Sequence, residues 1–113
     1  YYGNNIPGNI YSEIIFSRQR LIANVLADQL KNTVAEGPFK GFVLSKEMFW
    51  SELDRASMLL GFYELEVMNQ IVEASKDKKI FIDLGAADGY FGVGVLVNQI
   101  FQKVELYNIL KIE

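Results

Sequence analysis

In Ile80-Phe81-Ile82-Asp83-Leu84-Gly85-Ala86-Ala87-Asp88-Gly89-Tyr90 a short, nearly continuous apolar run passes into a glycine-rich turn. Bounded by lysines before and a glycine after, the run predicts a strand from Ile80 to Leu84, buried on both faces as in a parallel sheet covered by helices. Tyr90 to Phe101 then reads as a helix weakened by Gly92 and Gly94, and Val104 to Leu110 as a second strand. Strand, glycine turn, helix and strand make a βαβ unit, for which a right-handed crossover is strongly favoured.

The turn is the part of the chain with chemical content. At the carboxyl end of a parallel strand, small residues let the backbone turn sharply and approach a ligand, while the next helix presents its free amides. Asp83 adds a fixed negative charge there, which suits an amino or sulfonium group and repels a bare pyrophosphate. Two competing glycine motifs fail on their residues. A dinucleotide fingerprint starting at Gly85 needs glycine where the chain has Ala87 and Tyr90, and a phosphate loop needs a Gly-Lys-Ser/Thr ending that the sequence lacks.

Upstream, residues 1–9 are rich in Gly and Asn and include Pro7, a turn-forming arm. From Tyr11 to about Leu30 the apolar residues follow helical spacing, with Ile14, Leu21 and Val25 joined by Ile15, Ile22 and Leu26, while Arg20, Asn24, Asp28 and Lys31 face away. This predicts a core-facing amphipathic helix. Glu36-Gly37-Pro38 breaks it, and Phe39 to Leu44 reads as a short strand in a hairpin or at an edge. Ser51 with Asp54 three residues later marks a helix start. Gly61 interrupts that helix, and Tyr63 to Ala74 resumes the spacing, with Tyr63, Val67, Met68 and Ile71 on one side. Ser75 to Lys79, including Lys76, Lys78 and Lys79, is a solvated connection.

The turn resembles the first motif of class I S-adenosylmethionine-dependent methyltransferases, an apolar strand, an acidic residue and three alternating small positions. Asp83, Gly85, Ala87 and Gly89 occupy them, Ala87 replacing the usual middle glycine. Gly37-Pro38-Phe39-Lys40-Gly41, Phe49-Trp50 and Leu59 to Glu66 are similar to the lead-in of the FkbM-like branch, in which a Tyr-Glu pair, here Tyr63-Glu64, precedes the first motif by about one helix. The likeness covers residues 35–97.

This resemblance implies an α/β chain. A mainly helical region with a short strand spans residues 1–75, and the incomplete start of a Rossmann-like methyltransferase sheet, its first βαβ unit, spans 76–113. It implies S-adenosylmethionine as cofactor, held by Asp83, Gly85, Ala87, Asp88, Gly89 and Tyr90, with Tyr63 and Glu64 as covers. The ribose carboxylate of the family, roughly 20 residues past the turn, is replaced by Asn108, with Glu113 as the alternative if the strand runs longer. The adenine-binding segment, the loop that meets the methyl acceptor and most of the sheet have no counterpart in these residues. Weak or undetectable cofactor binding and no activity are therefore expected of the 113 residues by themselves.

Composition narrows the alternatives. Half of the 113 residues are apolar and 22% are charged, which predicts a folded domain. There is no Cys and no His, which excludes disulfide frameworks, thiolate metal sites and His-based catalysis. A net charge of −3 argues against a phosphate-backbone partner, so nucleic acid is not expected. No apolar run reaches the length of a membrane span, and the start, Tyr1-Tyr2-Gly3-Asn4-Asn5, reads as a cut or processed boundary rather than a signal, so a cytoplasmic protein is expected. Two readings follow: the N-terminal portion of a methyltransferase, or a non-catalytic oligomeric module with a degenerate methyltransferase fold. Strand one lacks a neighbour on the side away from strand two, which predicts a homo-oligomer, a dimer being favoured.

Overall fold

Strand β1, Ile80–Leu84, forms where the apolar run predicts it and pairs in parallel with β2, Lys103–Tyr107. Between them runs helix α4, Tyr90–Val97, which completes a βαβ unit. The computed structural model describes residues 8–46, 52–86 and 89–107. Ahead of β1 stand three helices: α1, Gly8–Leu30; α2, Arg55–Leu60, entered through a single 3-10 turn at Glu52–Asp54; and α3, Leu65–Ala74. The chain is thus mixed helix with a small parallel sheet of two strands.

One core draws on both the helical region and the βαβ unit. Val34, Phe39, Leu44, Met58, Leu59 and Met68 cluster with Tyr90, Val95 and Phe101, all buried. Helix α4 approaches closely because of its two glycines. A Cβ at Gly92 would collide with the Leu106 side chain of β2, and one at Gly94 with the Phe39 ring. The residues that lower helix propensity here are those that let sheet and aromatic core meet the helix. Asn98, at the end of α4, donates from Nδ2 to the carbonyls of Pro38 (2.8 Å) and Lys40 (2.9 Å), fastening the helix to the 37–41 turn.

Arg55 is a buried cation with neutral partners. Its Nη2 donates to Asn32 Oδ1 (2.7 Å) and to the Ser45 carbonyl (2.6 Å), and its Nη1 to the Lys46 carbonyl (3.1 Å). These bonds pin residues 32–46 onto α2 and satisfy most of a guanidinium that burial would otherwise leave costly.

Several expectations need correction. Helix α1 begins at Gly8 rather than Tyr11, and it is not simply core-facing. Ala23 is buried and Leu26, Ala27 and Leu30 pack against the core, whereas Ile14, Leu21 and Val25 stay exposed. The strand expected from Phe39 to Leu44 is replaced by turns with one isolated antiparallel bridge, Thr33 to Val43. The Lys40 and Phe42 amides bond the carbonyls of Gly37 and Phe39, so donors that a ladder would need are consumed locally. Ser51 lies outside the described residues, and Asp54 caps α2 with no side-chain bond. Helix α3 starts at Leu65, not Tyr63, because Glu64 adopts a left-handed conformation (φ 46°). Helix α4 stops at Val97, short of the expected Phe101, where the chain turns through Gln99 (φ 55°). Strand β2 begins at Lys103; the expected continuation to Leu110 falls outside the described residues.

The largest correction concerns β1. Registered partners in a parallel pair share a face, so Phe81, Val104, Asp83 and Leu106 line one side of the sheet and Ile80, Ile82, Leu84, Lys103, Glu105 and Tyr107 the other. The first side is covered by α4 and by Phe101, whose ring centroid lies 5.5 Å from that of Phe81. The second is open: Ile82 is 54% and Leu84 71% exposed. Burial on one face only is what a strand covered by a single helical layer shows.

Candidate functional site

At the carboxyl end of β1 the backbone turns sharply. Gly85 has φ 73°, and both its amide (2.7 Å) and that of Ala86 (3.0 Å) donate to the single carbonyl of Tyr107 at the end of β2. The Gly89 amide closes the turn on the Ala86 carbonyl at 2.7 Å. Gly89 then caps α4 in a left-handed conformation (φ 76°), where a side chain would add strain, and the first intrahelical bond runs from Val93 to its carbonyl. The amides of the first turn of α4 thus open on the side of the chain reversal.

Asp83 stands one residue before the end of β1, on the face covered by α4. Its carboxylate makes no hydrogen bond or ion pair among the described residues, and burial pushes it up from the usual carboxylate range. Asp83 is partly exposed at the carboxyl end of β1, so its carboxylate is open to an approaching group.

Tyr90, the first residue of α4, is the centre of an aromatic cluster. Its ring stacks on Phe42 (centroids 5.8 Å, planes 21° apart) and meets Phe39, Tyr63 and Phe91 edge-on at 5.2, 5.6 and 5.3 Å. Its hydroxyl is buried and finds no hydrogen-bond partner among the described residues. Burial raises the phenol to about 12, with smaller contributions from Tyr63 and Glu64, which therefore lie close enough to act on it. Tyr63 is raised too, chiefly by burial and then by Glu64 and Asp54. Glu64 itself is exposed and lines an open depression of about 580 Å³ with Phe62, Leu65, Glu66 and Val67.

Replacing Tyr90 by Phe keeps the packing and removes a buried donor without an acceptor. We expect urea denaturation to find the variant more stable by about 1 kcal/mol, since leaving such a group unpaired costs about 1–3 kcal/mol. A less stable variant would mean that the hydroxyl has an acceptor in solution.

Of the residues singled out from the sequence, Asp83, Gly85, Gly89 and Tyr90 belong to one chain reversal, and Tyr63 and Glu64 are brought to it through Tyr90. Ala87, Asp88 and Asn108, with Phe49, Trp50 and Glu113, lie outside the described residues. Glu105 is turned to the open face, where it sits 3.6 Å from Lys103 and accepts a bond of 3.1 Å from the Tyr107 hydroxyl. Phe42 and Phe91 are walls of the cluster that sequence reasoning missed; Phe91 follows Tyr90 directly, while nothing in the spacing of Phe42 connects it to Tyr90. Among the described residues no group of three or more acidic side chains is placed to hold a metal ion, and no helix is long and apolar enough to cross a membrane. No family model, curated protein or solved structure matches the chain.

Proposed function

We propose that these residues supply the methionine-binding part of an S-adenosylmethionine-dependent methyltransferase. The observation that carries this reading is the contact of Tyr63 with Tyr90, which brings the Tyr-Glu pair to the end of the Asp83–Gly89 turn, a meeting of segments far apart in sequence. The donor set suits the ligand. Asp83 offers a carboxylate without a partner for an ammonium group, and the α4 amides offer donors for a carboxylate. Glu64 adds a second negative charge on the Tyr63 side, and the aromatic cluster excludes water from the base of the turn.

When bound, the cofactor supplies an electrophilic methyl group on sulfur. The chain's own part is to bind and orient. Asp83 fixes the amino end, Gly85 and Gly89 let the backbone come close, and Tyr90 anchors the turn to the core. The adenine and the methyl acceptor have no assigned residues in this reading, so positioning of the two reactants, the main source of rate in such a transfer, is not provided by these residues alone.

The test is a titration of the ¹⁵N-labelled chain with S-adenosylmethionine followed by NMR. We expect a dissociation constant in the millimolar range, about 4 kcal/mol of binding free energy. Shifts should concentrate on the amides of Asp83, Gly85, Gly89, Tyr90, Tyr63 and Glu64. Asp83→Ala should remove them while the rest of the spectrum stays in place. Absence of any shift at those amides at millimolar ligand, or shifts unchanged in the variant, would overturn the assignment.

A further inference from the structure

We propose that a cleft at the end of α1 binds a phosphate monoester whose other part carries hydroxyl groups, as in a phosphorylated sugar. The cleft has a volume of about 430 Å³, room for a ligand of that size. Its described lining comes from two segments, Asn24, Ala27, Asp28, Lys31 and Asn32 on one and Lys46 on the other. Asn24, Ala27, Asp28 and Lys31 follow three- and four-residue steps and so share one side of the helix and its end. None of these residues belongs to the glycine turn or its aromatic cluster, and the inference does not depend on the proposed cofactor.

The charges of the cleft call for an anion. Lys31 and Lys46 make no ion pair among the described residues, although Asp28 lines the same space. Behind them stands Arg55, 8% exposed and bonded only to neutral groups. Two of its partners are lining residues, since Nη2 donates to Asn32 Oδ1 and Nη1 to the Lys46 carbonyl. A guanidinium does not give up its proton, so neutral partners leave its charge in place. Lys31, Lys46 and Arg55 against Asp28 leave two positive charges, the complement of the nearly two negative charges of a phosphate monoester at neutral pH. The chain as a whole carries −3, so this excess is local and not part of a basic surface.

Asn32 supplies an oriented donor. Its Oδ1 faces the guanidinium, its backbone amide donates to the Ala27 carbonyl (2.9 Å) and its carbonyl accepts the Leu44 amide (2.7 Å). Only Nδ2 is left over by the fold, on the side of the amide turned away from Arg55. The end of a helix ordinarily presents carbonyl oxygens, which repel an anion. Here those of Ala27, Asp28 and Leu30 are taken up by the amides of Asn32, Lys31 and Thr33. Asp28 and Asn24 serve the other part of the ligand. An ionised carboxylate only accepts hydrogen bonds, which hydroxyls can give and a phosphate dianion cannot.

Calorimetric titration at low salt with ribose 5-phosphate, ribose and inorganic phosphate tests the assignment. We expect ribose 5-phosphate to bind with a dissociation constant below about 1 mM, at least about tenfold tighter than inorganic phosphate, and ribose to give no signal. Amide shifts in the ¹⁵N-labelled chain should fall on Asn24, Asp28, Lys31, Asn32 and Lys46 and spare Gly85 and Gly89. Lys31→Gln and Lys46→Gln change exposed side chains, so the fold should persist while each weakens ribose 5-phosphate about tenfold, a charge-assisted contact being lost. Asp28→Asn should strengthen inorganic phosphate and narrow its gap to ribose 5-phosphate. Lys78→Gln, which removes the same charge from an exposed position outside the cleft, should leave the affinity unchanged. No binding of ribose 5-phosphate at about 10 mM, equal affinity for inorganic phosphate, or a loss in Lys78→Gln as large as in Lys46→Gln would each overturn the proposal.

Discussion

Phe39→Ala is expected to cost about 3–5 kcal/mol, a large part of the 5–15 kcal/mol that holds a domain of this kind folded. Phe39 is 1% exposed and sits where three parts of the molecule meet. It lies edge-on to Tyr90 at 5.2 Å and to Phe91 at 6.0 Å, and it fills the hollow left by the missing side chain of Gly94. Alanine would leave a cavity that α4 cannot close, because α4 is already held at one end by Asn98 and at its flank by Leu106. Thermal denaturation followed by circular dichroism should show the midpoint fall by about 15 °C or more. A fall of only a few degrees would mean that the βαβ unit does not rely on the 37–41 turn.

Gly61→Ala should come close in effect, for a different reason. Gly61 ends α2 in a left-handed conformation (φ 86°), and a Cβ there would run into the carbonyl of Glu36, a backbone group that cannot swing aside. The same strip carries the bond from the Ala35 amide to the Leu59 carbonyl at 2.8 Å, so relief by movement would break it. We expect a loss of about 3 kcal/mol or more, the left-handed backbone contributing about 1–2 kcal/mol and the collision the remainder. Gly41→Ala separates the two terms. Gly41 has φ 92° with nothing near its absent side chain, so only the conformational part should appear. Equal losses in the two variants, measured by urea denaturation, would show that the Glu36 contact contributes nothing.

The elements most legible in the sequence were those fixed by local pattern. Ile80 to Leu84 could be read to the residue because the run is short and rich in β-formers and is bounded by lysines and a glycine, and the break at Gly61 because a left-handed helix end favours that residue. Phe39 to Leu44 misled because its apolar residues say nothing about where the amides go; here turns take those of Lys40 and Phe42, and those of Gly41 and Leu44 reach back to Val34 and Asn32. The open face of β1 was not legible at all. Whether Ile82 is buried depends on which layers exist to cover it, and no property of the strand records that. In the candidate site, Asp83 and the glycines were found from their motif. Most neighbours of Tyr90 come from segments far away in the chain, and of its walls Phe39 and Tyr63 lay in segments the resemblance had singled out.

The carbonyl of Tyr107 holds two successive amides of the glycine turn. A loop at the end of a strand is ordinarily free to reshape around whatever approaches it, at little expense to the sheet. This one is moored. To open, it must let go of β2, and to let go it must surrender bonds that continue the β1–β2 ladder beyond the last registered pair, Leu84 with Tyr107. Turn and sheet therefore behave as one lever with its fulcrum at residue 107. Anything that grips the turn pulls on the far strand, and anything that steadies the far strand sets the shape in which the turn is offered.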